Sequence, residues 1–384
     1  MSLSKRATAG GFLSFFLLGA VQALYGPLIP VLRSEFGLSA ADAGLILGAQ
    51  FVGSVLGVLA SGVIEGRVGP RRRAGVAAAL FALGCGGVAF APSWPFAVAT
   101  ALLIGLGYGG LNVTFLSLFS RGFGARSPTV LNLLAVCYGV GAVIGPLVVG
   151  QTLESGFRLP FLLSALVAVL ALPLVLAAPG PPSPVAPRDP ATPGGPRTWK
   201  VLAAFGAVYF LYGGVEVVAG GWQATHLGAN GVAEVTAANL TAVYWGTLTI
   251  GRLLVAPFSA NIPPGRLAVV SLGLGAVVLG LTHVPALATF AYPLAGLALA
   301  AFAPAGVVWI SRTLPNAHGA VAVVLIGLYL GGVVFPTLVG QLITATSPAV
   351  VPTASTLIAL MAVAVAVGLL RVGTAPAIVR PRTP

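Results

Sequence analysis

Apolar runs of about twenty residues or more follow one another through this chain, and its charges are confined almost entirely to the short gaps between them. A helix crossing a bilayer needs roughly 20 mostly apolar residues. Twelve such segments are predicted, near 9–32, 41–64, 74–92, 95–119, 128–152, 159–178, 201–226, 235–259, 267–283, 286–310, 318–343 and 350–371. Charged residues are 7% of the chain and mean hydropathy is +1.03, whereas a soluble domain carries about 25% charged residues. A polytopic membrane protein is the class that fits. The first apolar stretch, after Lys5 and Arg6, runs to about Leu32. That is too long for a signal-peptide core, so it is expected to be an uncleaved first helix.

The longest interruption is PGPPSPVAPRDPATPGGPRTWK, residues 179–200. Rich in Pro and Gly, it cannot bury enough apolar surface to fold alone and is expected to be a solvated linker. The sequences on its two sides echo each other. GLGYGGLNVTFLSLFSR at 105–121 aligns with GLALAAFAPAGVVWISR at 296–312, and GAVIGPLVVGQ at 141–151 aligns with GGVVFPTLVGQ at 331–341, each about 190 residues on. Two parallel repeats joined by a polar loop are the mark of a secondary transporter. The expected domains are therefore an N-terminal six-helix bundle over 1–178, a linker over 179–200 and a C-terminal six-helix bundle over 201–384.

The net charge of +12 does not point to nucleic acid, because no basic groove or aromatic-interleaved patch is present. It sets orientation instead. With the N-terminus cytoplasmic, Lys5, Arg6, Arg67, Arg71, Arg72, Arg73, Arg121, Arg126, Arg188, Arg197, Lys200, Arg266, Arg312, Arg371, Arg380 and Arg382 lie on the inner side. Only Arg33 and Arg158 lie outside. That asymmetry places both termini and the linker in the cytoplasm. Arg252 is counted low in the eighth helix, toward the same side. The excess of Arg over Lys, with abundant Ala, Gly and Pro, reads as the coding bias of a GC-rich bacterium. A bacterial inner membrane is then the expected location.

The loop after the second helix, GVIEGRVGPRR at 62–72, resembles the loop motif G-x-x-x-D-R-x-G-R-R of the major facilitator superfamily, with Gly62, Glu65, Arg67, Gly69 and Arg71 as its members here. Gly66 stands at the acidic position and Glu65 stands in from one residue earlier. The resemblance implies an all-α fold of twelve transmembrane helices in two pseudo-symmetric bundles. Within that superfamily, LYGPLIPVLRSEFGLS at 24–39, the fifth helix from Asn132 to Pro146 and the eighth from Tyr244 to Arg252 are similar to the fucose–proton symporter group. The group carries coupling and sugar-binding acids in helices 1 and 4, at positions that align with Gly26 and Gly110. Either another group has taken over coupling or the protein is an uncoupled facilitator.

Of seven carboxylates, Glu35, Asp42, Glu65, Glu154, Asp189 and Glu234 fall at helix ends or in loops, and Glu216 alone lies inside a span. A carboxylate at membrane depth faces a water-filled cavity or a partner. Glu216 is thus the candidate substrate-binding and proton-coupling group, against the plainer role of a structural glutamate hydrogen-bonded between helices. Tyr212, one turn earlier, shares its face. Gln22, Gln50, Asn112 and Asn132 supply amides suited to hydroxyl-rich ligands. Tyr138, Tyr244, Trp245 and Tyr329 supply flat ring faces with polar tips. Trp222, Trp309 and His226 lie nearer span ends, where anchoring is an equal reading.

No metal is implied by His226, His283 and His318, which show no ligand spacing. The Gly139, Gly141 and Gly145 run has no strand before it and is not a dinucleotide loop. Pro146 and Pro336 are read as hinges. Cys85 and Cys137 are read as buried thiols. The expectation is a cofactor-free, monomeric transporter of a small polar solute, with a sugar favoured by the resemblance, moving across the bilayer by alternating access; it is not an enzyme. The alternatives are a proton-coupled exporter of drugs or amphipathic metabolites, and a non-transporting membrane receptor or scaffold.

Overall fold

The computed structural model describes residues 3–180, 196–255, 261–314 and 320–373. Among these, the chain forms thirteen α-helices and two short 3-10 turns, with no strand. The helices are α1 (Lys5–Phe36), α2 (Ala40–Ile64), α3 (Pro70–Ala89), α4 (Trp94–Gly122), α5 (Ser127–Thr152), α6 (Arg158–Val175), α7 (Pro196–Ala229), α8 (Glu234–Val255), α9 (Pro264–Leu281), α10 (Pro285–Leu299), α11 (Phe302–Thr313), α12 (Ala320–Ala345) and α13 (Val350–Gly373).

These match the twelve expected spans, with one crossing divided between α10 and α11. The division has a local cause: Pro304 has no N–H to give the carbonyl four residues back, and its ring clashes with that carbonyl. The helix therefore stops at Leu299 and restarts at Phe302. Pro146 and Pro336 lie inside continuous helices. The linker region differs at its end, since α7 reaches back to Pro196. Most of the expected linker (181–195), His318, Arg380 and Arg382 lie outside the described residues.

Among the described residues, ten stretches are long and apolar enough to cross a membrane. The polar exceptions are α3, with Arg71, Arg72 and Arg73 in its first turn, and α8, with Glu234 and Arg252. Large apolar side chains point outward around the molecule, including Phe90, Leu170, Val277 and Phe290. That inverted surface suits hydrocarbon and not water.

Successive helices alternate in direction, so the basic loops gather at one end of the molecule, called here the basic end. Helices α1–α6 form one bundle and α7–α13 the other, meeting through α1–α7, α2–α12 and α5–α8. Small residues let these helices approach closely. A Cβ on Gly26 would collide with the carbonyl oxygen of Gly220 where α1 crosses α7.

The loop at 62–72 keeps its helix ends tied. Gly66 adopts φ of 86°, a left-handed conformation that suits glycine and not the acidic residue of the family motif. Glu65 lies 2.6 Å from Arg121 Nη2 and accepts a 3.2 Å hydrogen bond from Ser117, both on α4. The backbone N–H of Arg71 donates to the Pro179 carbonyl at 3.0 Å, joining α3 to the end of α6. Gly62 and Arg67 are exposed, and Gly69 precedes the first turn of α3.

Candidate functional site

Toward the end opposite the basic loops the bundles are tied together, beside a second cavity of about 480 Å³ between α1, α7 and α8. The backbone N–H of Ala41 donates to Thr344 Oγ1 at 2.9 Å, pinning the start of α2 to the end of α12. Trp222, fully buried on α7, donates its indole N–H to the Pro336 carbonyl at 3.0 Å. That indole also packs beside Gly44 and Gly340, so α2, α7 and α12 are keyed by one ring. Trp222 is thus a core residue and not an interfacial anchor, as is Trp309, set edge-on to Phe205 at 5.0 Å. His226 is buried as well, with a ring nitrogen 3.0 Å from the Tyr292 hydroxyl.

Toward the basic end these ties give way. Helices α5 and α8 touch at Gly150 against Asn239 and again at Gly139 against Thr249. Beyond that level they enclose, with α9 and α11, a cavity of about 460 Å³. Asn132 and Val136 of α5, Thr249, Arg252 and Leu253 of α8, and Arg312 of α11 line it.

Glu216 lies behind this cavity, in contact with its wall residue Arg252. It is four residues from Gly220, hence about 6 Å to the basic side of the α1–α7 crossing. Its Oε1 lies 3.5 Å from Arg252 Nη2, with the two side chains 12% and 25% exposed. Those low exposures put the pair largely out of solvent, while Arg252 keeps access to the cavity. The Tyr244 hydroxyl donates to the Glu216 backbone carbonyl at 3.3 Å and fixes the α7–α8 spacing.

The other expected site residues divide into two groups. Around the pair, Tyr212 is fully buried, its ring 4.4 Å from that of Phe302, and its hydroxyl interacts with both Glu216 and Arg252. Trp245 stands edge-on to Tyr244 at 5.4 Å and lies over Gly220. The Tyr138 and Tyr108 hydroxyls are 3.4 Å apart, and Tyr329 faces Tyr108 at 6.3 Å.

The second group is spent on packing or stands apart. Gln50 donates to Gln22 at 2.9 Å, an α1–α2 tie within one bundle, although Gln50 Oε1 keeps no partner. Asn112 is half-buried and makes no hydrogen bond among the described residues. Gly26 and Gly110, the positions aligned with the symporter acids, face the Gly220 backbone and Ala77 respectively, where no carboxylate fits.

Three residues at the centre were not anticipated: Arg252, Tyr108 and Phe302. Arg252 carries a signal in the sequence, a cation inside an apolar run, that its nearness to the span end disguises as a loop charge. Among the described residues no group of three metal-ligating side chains occurs.

The signature of the Major Facilitator Superfamily matches residues 11–215. The chain belongs to the major facilitator superfamily. Relatives within and around this superfamily are similar in part. A gentisate transporter of Corynebacterium glutamicum is 28% identical over 189 residues, covering 46% of this chain and 41% of that protein. The glucose/mannose transporter GlcP of Bacillus subtilis is 25% identical over 152 residues, covering 39% and 38%. The chain thus spans about two fifths of the length of these relatives. In three dimensions the likeness is nearly complete. The nucleoside transporter NupG superposes with a TM-score of 0.77 at 14% identity, over 98% of this chain and 100% of that one. A D-xylose-proton symporter superposes with a TM-score of 0.72 at 17% identity, over 93% and 96%. The fold is that of the superfamily, and part of the chain is similar to curated transporters of sugars and other solutes.

Proposed function

We propose that this superfamily member is a monomeric secondary transporter that moves a small polar solute, of the sugar class or close to it, across a bacterial inner membrane. The basic end is cytoplasmic, as are both termini. The two bundles rock about the Glu216–Arg252 level, and the arrangement described above is the inward-facing one, tied together outside and hollowed toward the cytoplasm. Glu216 is the central acidic group, through which a proton is coupled if one is.

The observation that carries this reading is the pair itself. Two opposite charges are held inside the spans, Arg252 at the wall of a cavity and Glu216 behind it, next to the crossing of the two bundles. Charges inside spans face such pathways because lipid cannot solvate them, and transporters of this build place their solute at the repeat interface near the midplane. The phenols and indole beside the pair suit a hydroxyl-bearing solute. A glucose/mannose transporter among the partial relatives and the sequence resemblance in the first, fifth and eighth spans support the sugar class. A gentisate transporter among them keeps small ring acids in view.

The experiment is a thermal-shift screen of the purified protein with sugars, organic acids, amino acids and lipophilic cations, followed by proteoliposome uptake. A bound solute stabilises by about 2.7 kcal/mol at a hundredfold excess over its Kd. A polar solute that stabilises wild type, is taken up, and does neither in Glu216→Gln is the expected result. Stabilisation by lipophilic cations alone would turn the reading to an exporter. No uptake of any solute, with a partner protein bound instead, would turn it to a receptor.

A further inference from the structure

We infer that the solute is an organic monoanion whose carboxylate is held by Arg252. The inference rests on the transport reading above and narrows it: among sugar-sized solutes it selects acids over neutral hexoses.

Charge is the first ground. The cavity wall carries two guanidinium groups, Arg252 and Arg312, and no Asp or Glu among its described residues. The one carboxylate in contact is Glu216, which touches Arg252. The empty site therefore holds one positive charge more than it balances. A solute with a single negative charge removes that imbalance, and a neutral solute leaves it. Arg312, exposed nearer the basic end, adds a field that draws anions toward the cavity.

Hydrogen-bonding geometry is the second ground. A guanidinium presents five N–H donors in a planar fork that matches a carboxylate through two parallel bonds. Glu216 takes one corner of that fork, and the Tyr212 hydroxyl lies beside it. The 3.5 Å approach of Glu216 is longer than the 2.7–2.9 Å of a charge-assisted hydrogen bond. The Nε–H of Arg252 is buried and has no partner. An unmade hydrogen bond from a buried charged group is costly, so the donors are poised for an acceptor that arrives with the solute.

The remaining surface sets what hangs from the carboxylate. Asn132, exposed on α5, offers an amide to a hydroxyl or carbonyl, and Val136 and Leu253 form apolar wall. A volume near 460 Å³ falls in the range of small-molecule sites. A hexuronate or a small ring acid satisfies all of these features.

The test compares D-glucose with D-glucuronate, which differ in a hydroxymethyl against a carboxylate at one carbon, and adds benzoate as the ring acid. Binding to purified wild-type protein is measured by calorimetry and thermal shift. The expected result is that D-glucuronate or benzoate binds at least tenfold more tightly than D-glucose. Arg252→Lys, which keeps the charge and loses the fork, should lower that affinity tenfold or more, while Arg312→Gln should lower it less. If Arg252→Lys does not fold, the wild-type comparison still decides. D-glucose binding as tightly as both acids, or an unchanged affinity in Arg252→Lys, would overturn the inference and leave the transport reading standing. Silence from all three probes would also overturn it; the uptake panel then decides separately whether the transport reading falls too.

Discussion

Arg252 of α8 reaches Glu216 of α7 with Nη2 3.5 Å from Oε1, and these two are the ion pair found inside the helical spans among the described residues; the other two pairs sit at helix ends. Each charge explains the other's place in an apolar helix. Removing either leaves its partner uncompensated in a poorly solvated site.

The first prediction follows from that dependence. A fully buried pair costs about 3–5 kcal/mol to break from one side. Since Arg252 is a quarter exposed, Glu216→Gln should cost about 1–3 kcal/mol by the same reasoning. Glu216→Gln combined with Arg252→Gln should be more stable than the sum of the single losses, because the pair acts as one unit. Strictly additive melting shifts across that cycle would sink the coupling.

Gly26 and Gly220 bring α1 and α7 into backbone contact. Gly26→Leu should wedge α1 from α7 and bias the protein toward an outward-open form, at a cost of about 1–3 kcal/mol for overpacking. Thr225→Cys, at a position 8% exposed, reports the change: an impermeant maleimide added outside should label it faster in the Gly26→Leu background. Equal labelling in both backgrounds would show that this crossing does not close the outer side.

Trp222 keys α7 to α12 through its indole N–H. Trp222→Phe keeps the ring and drops the hydrogen bond to Pro336, so it should weaken outer closure by about 1 kcal/mol. The same maleimide assay should show an intermediate effect, smaller than that of Gly26→Leu. A melting temperature and labelling rate both equal to wild type would remove the bond from the gate.

Glu65 and Arg121 form a short pair, but Arg121 is 56% exposed. Surface pairs contribute about 0–1 kcal/mol, so Glu65→Gln should shift the melting temperature little. A loss above about 2 kcal/mol would mean that the pair is shielded from solvent in a way its exposure does not indicate.

Topology has its own check. A cysteine placed at Arg126 or Arg312 should be labelled only after the membrane is opened to the cytoplasmic side, and one at Glu154 or Glu234 from outside. The reverse pattern would invert the inward-facing reading.

Much of this molecule could be read along the chain. Hydropathy and length delimited the twelve crossings, because lipid leaves a spanning segment little choice but an apolar helix. The same argument singled out Glu216, since a carboxylate in such a segment must be answered by something. Sequence did not name Arg252 as that answer. A cation near a span end looks like another loop charge until helices α7 and α8 are set side by side. Nor did it foresee that Gln22 and Gln50 answer each other, or that Gly26 lacks an acid because Gly220 occupies the space one would need. Single-helix rules gave the helices and the one odd acid, because each depends on residues adjacent in the chain and on the solvent around them. The pairings, the ties between bundles and the cavities came only with tertiary structure, because they depend on which faces of distant helices meet, and hydropathy is blind to faces when both lipid and protein interior are apolar.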